Sequence, residues 1–237
     1  MSIIMPAYNL EHIIDAAVNE VIRELERNNI KKYEVIVVDD GSTDKTYQKV
    51  RINIQNPKVK IYKLTRNMGK GFALIYGFKH SRGDVIVFFD ADLDIPPKQI
   101  IPLIKTVTKC YDVAITIKHH PQAKINGSLQ RKLLSIVFNS LARLLTGVKF
   151  RDTQTGAKAF KREVLEYAIP KLAVKRYAFD LELLLVIVKR GYRVIEIPAL
   201  YSVRHNKPVR LSELQRLILD LLGITYRLKV KKQYEPY

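Results

Sequence analysis

The chain has 237 residues, 47% of them hydrophobic, with only 10 Gly and 10 Pro, which excludes a disordered protein and suits one large α/β domain or one domain with an appendage. Its one cysteine, Cys110, excludes an internal disulfide and argues against a Cys-based zinc site; it reads as a small buried side chain. The formal net charge is +18, a field that attracts phosphates, anionic lipid or nucleic acid.

The N-terminal Met1-Ser2-Ile3-Ile4-Met5-Pro6 has neither a basic n-region nor an h-region, so no signal peptide is expected. No run approaches ~18 uninterrupted apolar residues, so no membrane-spanning helix is expected either. Ile3–Met5 reads as a short strand. Asn9 then offers an N-cap to a helix with apolar residues at Ile13, Ile14, Ala17, Val21 and Leu25. Glu34–Val38 is a β-branched strand ending in Asp39-Asp40-Gly41, and a helix follows through about residue 53. Val59–Leu64 is a third strand and Gly71–His80 a helix. Val85–Phe89 is continuously apolar, as a strand buried on both faces would be. It ends in Asp90-Ala91-Asp92, and Pro96-Pro97 opens the next helix. Val113–Ile117 is a fifth strand.

The second half is less regular. A leucine-rich helical stripe runs over 131–145, and 157–168 reads as a short strand and helix. Phe179–Lys189 is an apolar helix with Gly191 as C-cap, and Arg193–Pro198 is a strand. Ser212 and Gln215 form a capping box for a last helix with Leu214, Leu217, Ile218, Leu221, Leu222 and Leu228 as its stripe. The β-α rhythm predicts a mostly parallel sheet with helices on both faces. Ligands of such sheets bind beyond the carboxyl ends of the strands. The polar clusters fall there: Pro6-Ala7-Tyr8-Asn9, Asp39-Asp40-Gly41-Ser42, Thr65-Arg66-Asn67 and Asp90-Ala91-Asp92.

Acids crowded as in Asp90-Ala91-Asp92-Leu93-Asp94 repel one another unless a cation binds, and Mg²⁺ or Mn²⁺ binds through few carboxylates plus substrate phosphates. An EF-hand is excluded, since Pro96 and Ile101 would fall on ligand positions. Asp39 or Asp40 can accept hydrogen bonds from a ribose or base, while Ser42 and Asp44 are better explained as helix caps. Asn67-Met68-Gly69-Lys70-Gly71 exposes backbone N–H groups before a helix, where a phosphate could sit beside Lys70. It is neither a P-loop nor a dinucleotide fingerprint. No Gly-x-Ser-x-Gly or His-Glu-x-x-His occurs, and His119-His120 reads as surface.

Taken in order, Pro6-Ala7-Tyr8-Asn9, Val37–Asp44, Asn67–Gly71 and the DxD motif Asp90-Ala91-Asp92 resemble the family 2 glycosyltransferases with a GT-A fold. Asp152-Thr153-Gln154-Thr155-Gly156-Ala157-Lys158-Ala159-Phe160, Phe179-Asp180-Leu181-Glu182-Leu183 and Gly191–Pro198 resemble segments of dolichyl-phosphate β-glucosyltransferases and other polyprenyl-phosphate sugar transferases, as does Lys207-Pro208-Val209-Arg210. The sequence departs from those relatives at Thr155, where they carry Cys, and at Leu200-Tyr201, where they carry Trp.

The resemblance implies an α/β GT-A domain over 1–200, with a nucleotide-sugar half (1–112), an acceptor half (113–200) and a basic amphipathic helix and tail (201–237). It implies an inverting, metal-dependent hexose transfer from UDP-glucose, or alternatively GDP-mannose, to a polyprenyl or dolichyl phosphate; a non-lipid glycan acceptor is a further alternative. Pro6, Tyr8, Asn9, Asp39 and Asp40 would hold the nucleoside, and Lys70 would lie near the donor phosphates. Asp90 and Asp92 would hold Mg²⁺ or Mn²⁺ and the donor sugar. Lys118 and Arg131 would meet the acceptor phosphate, and Asp152 and Gln154 would line the acceptor side of the sugar. Asp152 would be the base if the acceptor were a hydroxyl.

The charge excess concentrates in two places. Residues 113–162 carry 10 basic residues against one acid, and 201–237 carry 8 against 3. Leu-rich helices with basic flanks suit peripheral attachment to the cytoplasmic face of a membrane. No nucleic-acid-binding motif accompanies the charge, so nucleic acid is not an expected partner.

Overall fold

The computed structural model describes residues 1–117, 124–126, 129–176, 178–202 and 211–235; within 124–126, 129–137, 201–202 and 211–214 it describes the backbone alone. The strands are β1 (Ser2–Ala7), β2 (Glu34–Asp39), β3 (Val59–Lys63), β4 (Val85–Phe89), β5 (Val113–Ile117), β6 (Lys124–Asn126), β7 (Ala157–Lys161), β8 (Val194–Pro198) and β9 (Leu200–Ser202). The helices are α1 (Ile14–Arg27), α2 (Thr46–Asn53), α3 (Lys70–Lys79), α4 (Ile100–Lys109), α5 (Leu129–Thr146), α6 (Arg162–Ala168), α7 (Phe179–Arg190) and α8 (Leu211–Lys229). A 3₁₀ turn, Pro97–Gln99, leads into α4 and puts proline at its first turn.

The main sheet has seven strands in the order β3-β2-β1-β4-β7-β5-β8, and a small second sheet pairs β6 with β9. All neighbours in the main sheet are parallel except β7, which runs antiparallel to β4 and β5. The buried strand residues alternate between two cores, as the two-residue period of a strand requires. Ile4, Ile86, Phe88, Ile115 and Phe160 face a core shared with α3, α6, α7 and α8. Ile3, Met5, Val35, Val37, Val87 and Phe89 face α1 and α4. Sheet strands covered on both sides therefore read as the continuous apolar runs of the sequence.

The strand order reverses at β1, whose neighbours are β2 and β4. Such a reversal leaves a crevice at the carboxyl ends of the two diverging strands. β7 has a second consequence. Because it is antiparallel to β4, its leading end meets the trailing end of β4, with Ala157 opposite Phe89. Residues 152–156 are thereby delivered to the same edge as Asp90.

Four local expectations are corrected. Asn9 does not cap the first helix, which starts at Ile14; Asn9 sits at φ +52° and its Oδ1 accepts from Thr43 N instead, tying the β1 loop to the β2 loop. Ser42 is likewise no cap: its Oγ accepts from Asn9 N, while Asp44 accepts from Thr46 N at the start of α2. Ser212 lies inside α8, which begins at Leu211, so it is not the N-cap. Cys110 is exposed, because it ends α4 after its buried face has finished. Gly191 caps α7 in the left-handed region at φ +90°, as expected. His119-His120, Lys118 and Lys207–Arg210 lie outside the described residues.

Candidate active site

A cavity of about 480 Å³ opens at the reversal point. Its walls come from the ends of β1 (Pro6, Ala7, Tyr8), β2 (Asp40) and β4 (Asp90, Asp92), together with Lys70 at the start of α3. Gln154 from the loop before β7 and Asp180 from α7 complete it. Residues far apart in sequence thus share one chamber because their strands end at one edge.

The β2 end is built around Gly41. It holds φ +69°, and a Cβ there would lie 2.4 Å from the Arg66 backbone, so the loops after β2 and β3 approach closely only with glycine. Asp39 and Asp40 then point to different tasks. Asp39 is fully buried; its Oδ1 accepts from Ser42 N, its Oδ2 lies 4.0 Å from Lys63, and it does not line the cavity. Asp40 does line it, and its two oxygens accept from Met68 N at 2.7 Å and Gly69 N at 2.8 Å. Burial outweighs these bonds and holds the Asp40 carboxyl above its ordinary range. The N–H groups of Met68 and Gly69 are therefore already taken by a carboxylate. A phosphate at this turn would meet the Lys70 ammonium rather than those two amides.

Lys70 Nζ donates to Asp90 Oδ2 at 2.8 Å, lies 2.7 Å from Oδ1, and lies 3.9 Å from Asp180. Its side chain remains 34% exposed, so a ligand in the cavity can reach it. Burial opposes its charge, but Asp90 and Asp180 outweigh that and raise its pKa. Asp180 is itself held by the buried Lys158, at 2.9 Å, and Lys158 also donates to Thr155 O. Burial pulls the Lys158 pKa down, with Asp180 opposing.

Asp92 and Asp94 follow Asp90 on the cavity wall. Burial, and then the charges of Asp90 and Asp94, push the Asp92 carboxyl up to about 6. A cation here would relieve that repulsion, which is the fit a divalent metal needs. Among the described residues no group of three or more His, Cys, Asp or Glu side chains forms a metal cage. Asp90 and Asp92 would be a partial shell, the arrangement in which Mg²⁺ or Mn²⁺ takes its remaining ligands from substrate phosphates and water.

The loop before β7 is unusual. Asp152 is buried; its Oδ1 accepts from Gln154 N, and its Oδ2 has no partner. Thr153 Oγ1, Gln154 Nε2 and Thr155 Oγ1 are also buried and unpartnered. Four successive residues thus carry buried polar atoms without a partner, and of them only Gln154 lines the cavity.

The family model described as Glycosyl transferase family 2 matches residues 2–168, more than half of the chain. The chain belongs to glycosyl transferase family 2. Among curated relatives, a dolichyl-phosphate beta-glucosyltransferase of Trichomonas vaginalis is 31% identical, over 93% of this chain and 69% of that protein. A dolichol-phosphate mannosyltransferase of Pyrococcus furiosus is 30% identical, over 96% of this chain and 63% of that protein. Among solved structures, glucosyl-3-phosphoglycerate synthase of Mycobacterium tuberculosis, in complex with Mn²⁺, UDP and phosphoglyceric acid, superposes with a TM-score of 0.72. At 20% identity, covering 100% of this chain and 79% of that one, it is a likeness of fold, and the fold is GT-A.

Of the twelve site residues anticipated in this family 2 domain, Pro6, Tyr8, Asp40, Lys70, Asp90, Asp92 and Gln154 meet in one cavity. Asn9, Asp39 and Asp152 stand behind its wall. Arg131 lies on α5, where the backbone alone is described, and Lys118 lies outside the described residues. Asp180 and Arg176 line the cavity without having been anticipated as site residues. Asp180 could have been suspected as the acid of the Phe-Asp-x-Glu-Leu segment. Arg176, which donates to Asn67 O at 3.1 Å, belongs to no recognisable sequence motif.

Proposed function

We propose that this domain transfers a hexose, with inversion, from a nucleotide sugar to a polyprenyl or dolichyl phosphate. UDP-glucose is the first choice of donor. The observation that carries the reading is the convergence of Asp40, Lys70, Asp90 and Asp92 on one cavity at the strand-order reversal. The nucleoside would lie toward Pro6, Tyr8 and Asp40, and the diphosphate toward Lys70.

Mg²⁺ or Mn²⁺ held by Asp90 and Asp92 would supply positive charge for the leaving diphosphate. An acceptor phosphate oxygen would attack the anomeric carbon as the bond to the diphosphate breaks and the nucleoside diphosphate departs. A phosphate is already ionised at neutral pH, so it needs positioning and charge balance rather than a general base. Gln154 marks the proposed acceptor side of the cavity, with Lys118 and Arg131 as the proposed partners of the acceptor phosphate. If the acceptor were a glycan hydroxyl, Asp152 would be the candidate base.

The likeness to a dolichol-phosphate mannosyltransferase favours GDP-mannose as the second reading. The proposed location is the cytoplasmic face of a membrane, reached from the side. No helix among the described residues is long and apolar enough to cross one. One face of α8 packs on the core through Leu221, Ile224 and Leu228, while Leu219, Leu222 and Tyr226 are exposed beside Lys229, Lys231 and Lys232. That second face suits a bilayer interface.

Titration calorimetry with UDP and GDP, with and without Mn²⁺, tests the donor assignment. UDP binding that strengthens with Mn²⁺ is expected. Tighter GDP binding would transfer the assignment to mannose, and binding of neither would remove the donor site.

A further inference from the structure

The cavity contains a chain of alternating charges, Lys158–Asp180–Lys70–Asp90, that the proposed reaction leaves unexplained. The Lys70 ammonium lies 2.7 Å from Asp90 Oδ1 and donates to Oδ2 at 2.8 Å. A divalent cation brought to these oxygens would meet the like charge of that ammonium and compete with it for Asp90. Lys70 has a second acid within reach, Asp180, at 3.9 Å. Asp180 is 4% exposed, and its other oxygen is pinned at 2.9 Å by Lys158, which is 1% exposed. The backbone O of Thr155 anchors Lys158 from behind. Asp180 is thus a fixed, buried acid that faces the cavity and is only loosely engaged by Lys70.

We propose that Lys70 is a resident counter-ion with two seats, Asp90 in the empty site and Asp180 together with the donor diphosphate in the loaded site, and that Lys158 is the positioning residue that fixes the second seat. The inference rests on the reading of Asp90 and Asp92 as metal-holding residues. Its consequence is a linkage. Without a diphosphate, Lys70 competes with a divalent cation for Asp90, and cation binding is weak. A diphosphate entering the cavity draws the ammonium toward itself and Asp180, and frees Asp90. Metal and nucleotide therefore bind cooperatively, and the coupling is reciprocal.

The test is Mn²⁺ binding to the purified protein, read from the electron paramagnetic resonance of the free ion, with and without UDP. For the unaltered protein, UDP should tighten Mn²⁺ binding by at least about fivefold, the lower range of measured site-to-site couplings. Lys70→Met should bind Mn²⁺ without UDP at least about fivefold tighter than the unaltered protein, and UDP should add less than it does to the unaltered protein. Lys70→Arg keeps the competing charge and should retain the weak Mn²⁺ binding.

Asp180→Asn alone would strand the buried Lys158 and could unfold the chain, so the pair is removed together as Asp180→Asn with Lys158→Met. That double variant should keep weak Mn²⁺ binding without UDP and show a smaller UDP-dependent gain than the unaltered protein. Wild-type Mn²⁺ affinity in Lys70→Met, or an undiminished UDP gain in the double variant, would overturn the two-seat lysine while leaving the metal assignment standing. Absence of Mn²⁺ binding in every protein, with or without UDP, would overturn both.

Discussion

Gly156 lies directly against Asp90: its carbonyl accepts from Asp90 N at 2.9 Å, and a Cβ built on it would sit 2.3 Å from Asp90 Oδ2. Glycine is required here by the closeness of the Asp90 carboxylate, not by an unusual backbone angle. Gly156→Ala should push Asp90 aside, costing roughly 1–3 kcal/mol of stability through overpacking. Displacing a reacting group by about 1 Å can cost ~100-fold in rate, so transfer activity should fall far more than folding does. Urea unfolding and a turnover assay on the same variant check this. A variant with normal activity would remove Asp90 from the mechanism.

Asp92 gives a stability prediction with a definite sign. Its carboxyl is raised from 3.8 to about 6 in the folded chain. The folded state therefore keeps the proton to higher pH than the unfolded chain does. That stabilisation is fully present below about pH 4 and is lost as pH rises through about 6. In EDTA, Asp92→Asn should be roughly 1–3 kcal/mol more stable than the unaltered protein at pH 7.5, with the gain shrinking toward pH 4.5. Denaturant unfolding at the two pH values measures it, and a pH-independent difference would contradict it.

Glu182 ties the site's floor to the C-terminal helix. It is fully buried and accepts from Ala173 N, Val174 N, Arg227 and Tyr234 Oη. Removing it leaves Arg227 its bond to Tyr234 Oη but no carboxylate, and breaking a largely buried ion pair costs about 3–5 kcal/mol. Glu182→Ala should lower Tm by roughly 10 °C for a chain of this size. The loop it holds also carries Arg176 at the cavity, so donor binding should weaken before the protein unfolds. Calorimetric scanning and UDP titration separate the two effects.

The two faces of α8 should respond oppositely to substitution. Leu221 is buried in the core, and Leu222 is 53% exposed. Leu221→Ala should cost about 2–5 kcal/mol and leave vesicle binding of the folded protein intact. Leu222→Glu should leave stability within about 0.5 kcal/mol and reduce flotation with anionic liposomes. Equal flotation of Leu222→Glu and the unaltered protein would place the membrane contact elsewhere.

Much of the first half was legible because continuous apolar runs such as Val85–Phe89 signal strands covered on both faces, and polar clusters follow each of them. The reversal at β1 then gathers those clusters, which periodicity alone does not state. Less legible was β7. A five-residue strand carries no mark of direction, yet its antiparallel insertion between β4 and β5 is what brings Gln154 and Gly156 to Asp90. Asn9 looked like a cap because capping chemistry and loop stitching use the same side chain; its left-handed backbone decides between them. Lys158 and Asp180 are 22 residues apart, and only the packing of α7 beneath the sheet makes them a pair.

The central claim is donor-dependent transfer to a lipid phosphate from the cavity that holds Asp90. Its most direct test incubates the pure protein with Mn²⁺, a polyprenyl phosphate and radiolabelled UDP-glucose or GDP-mannose in parallel, and counts label in the organic phase. Label is expected from UDP-glucose, and none with Asp90→Asn. Unchanged labelling by Asp90→Asn, or no lipid label from any donor by a folded protein that binds UDP, would contradict it.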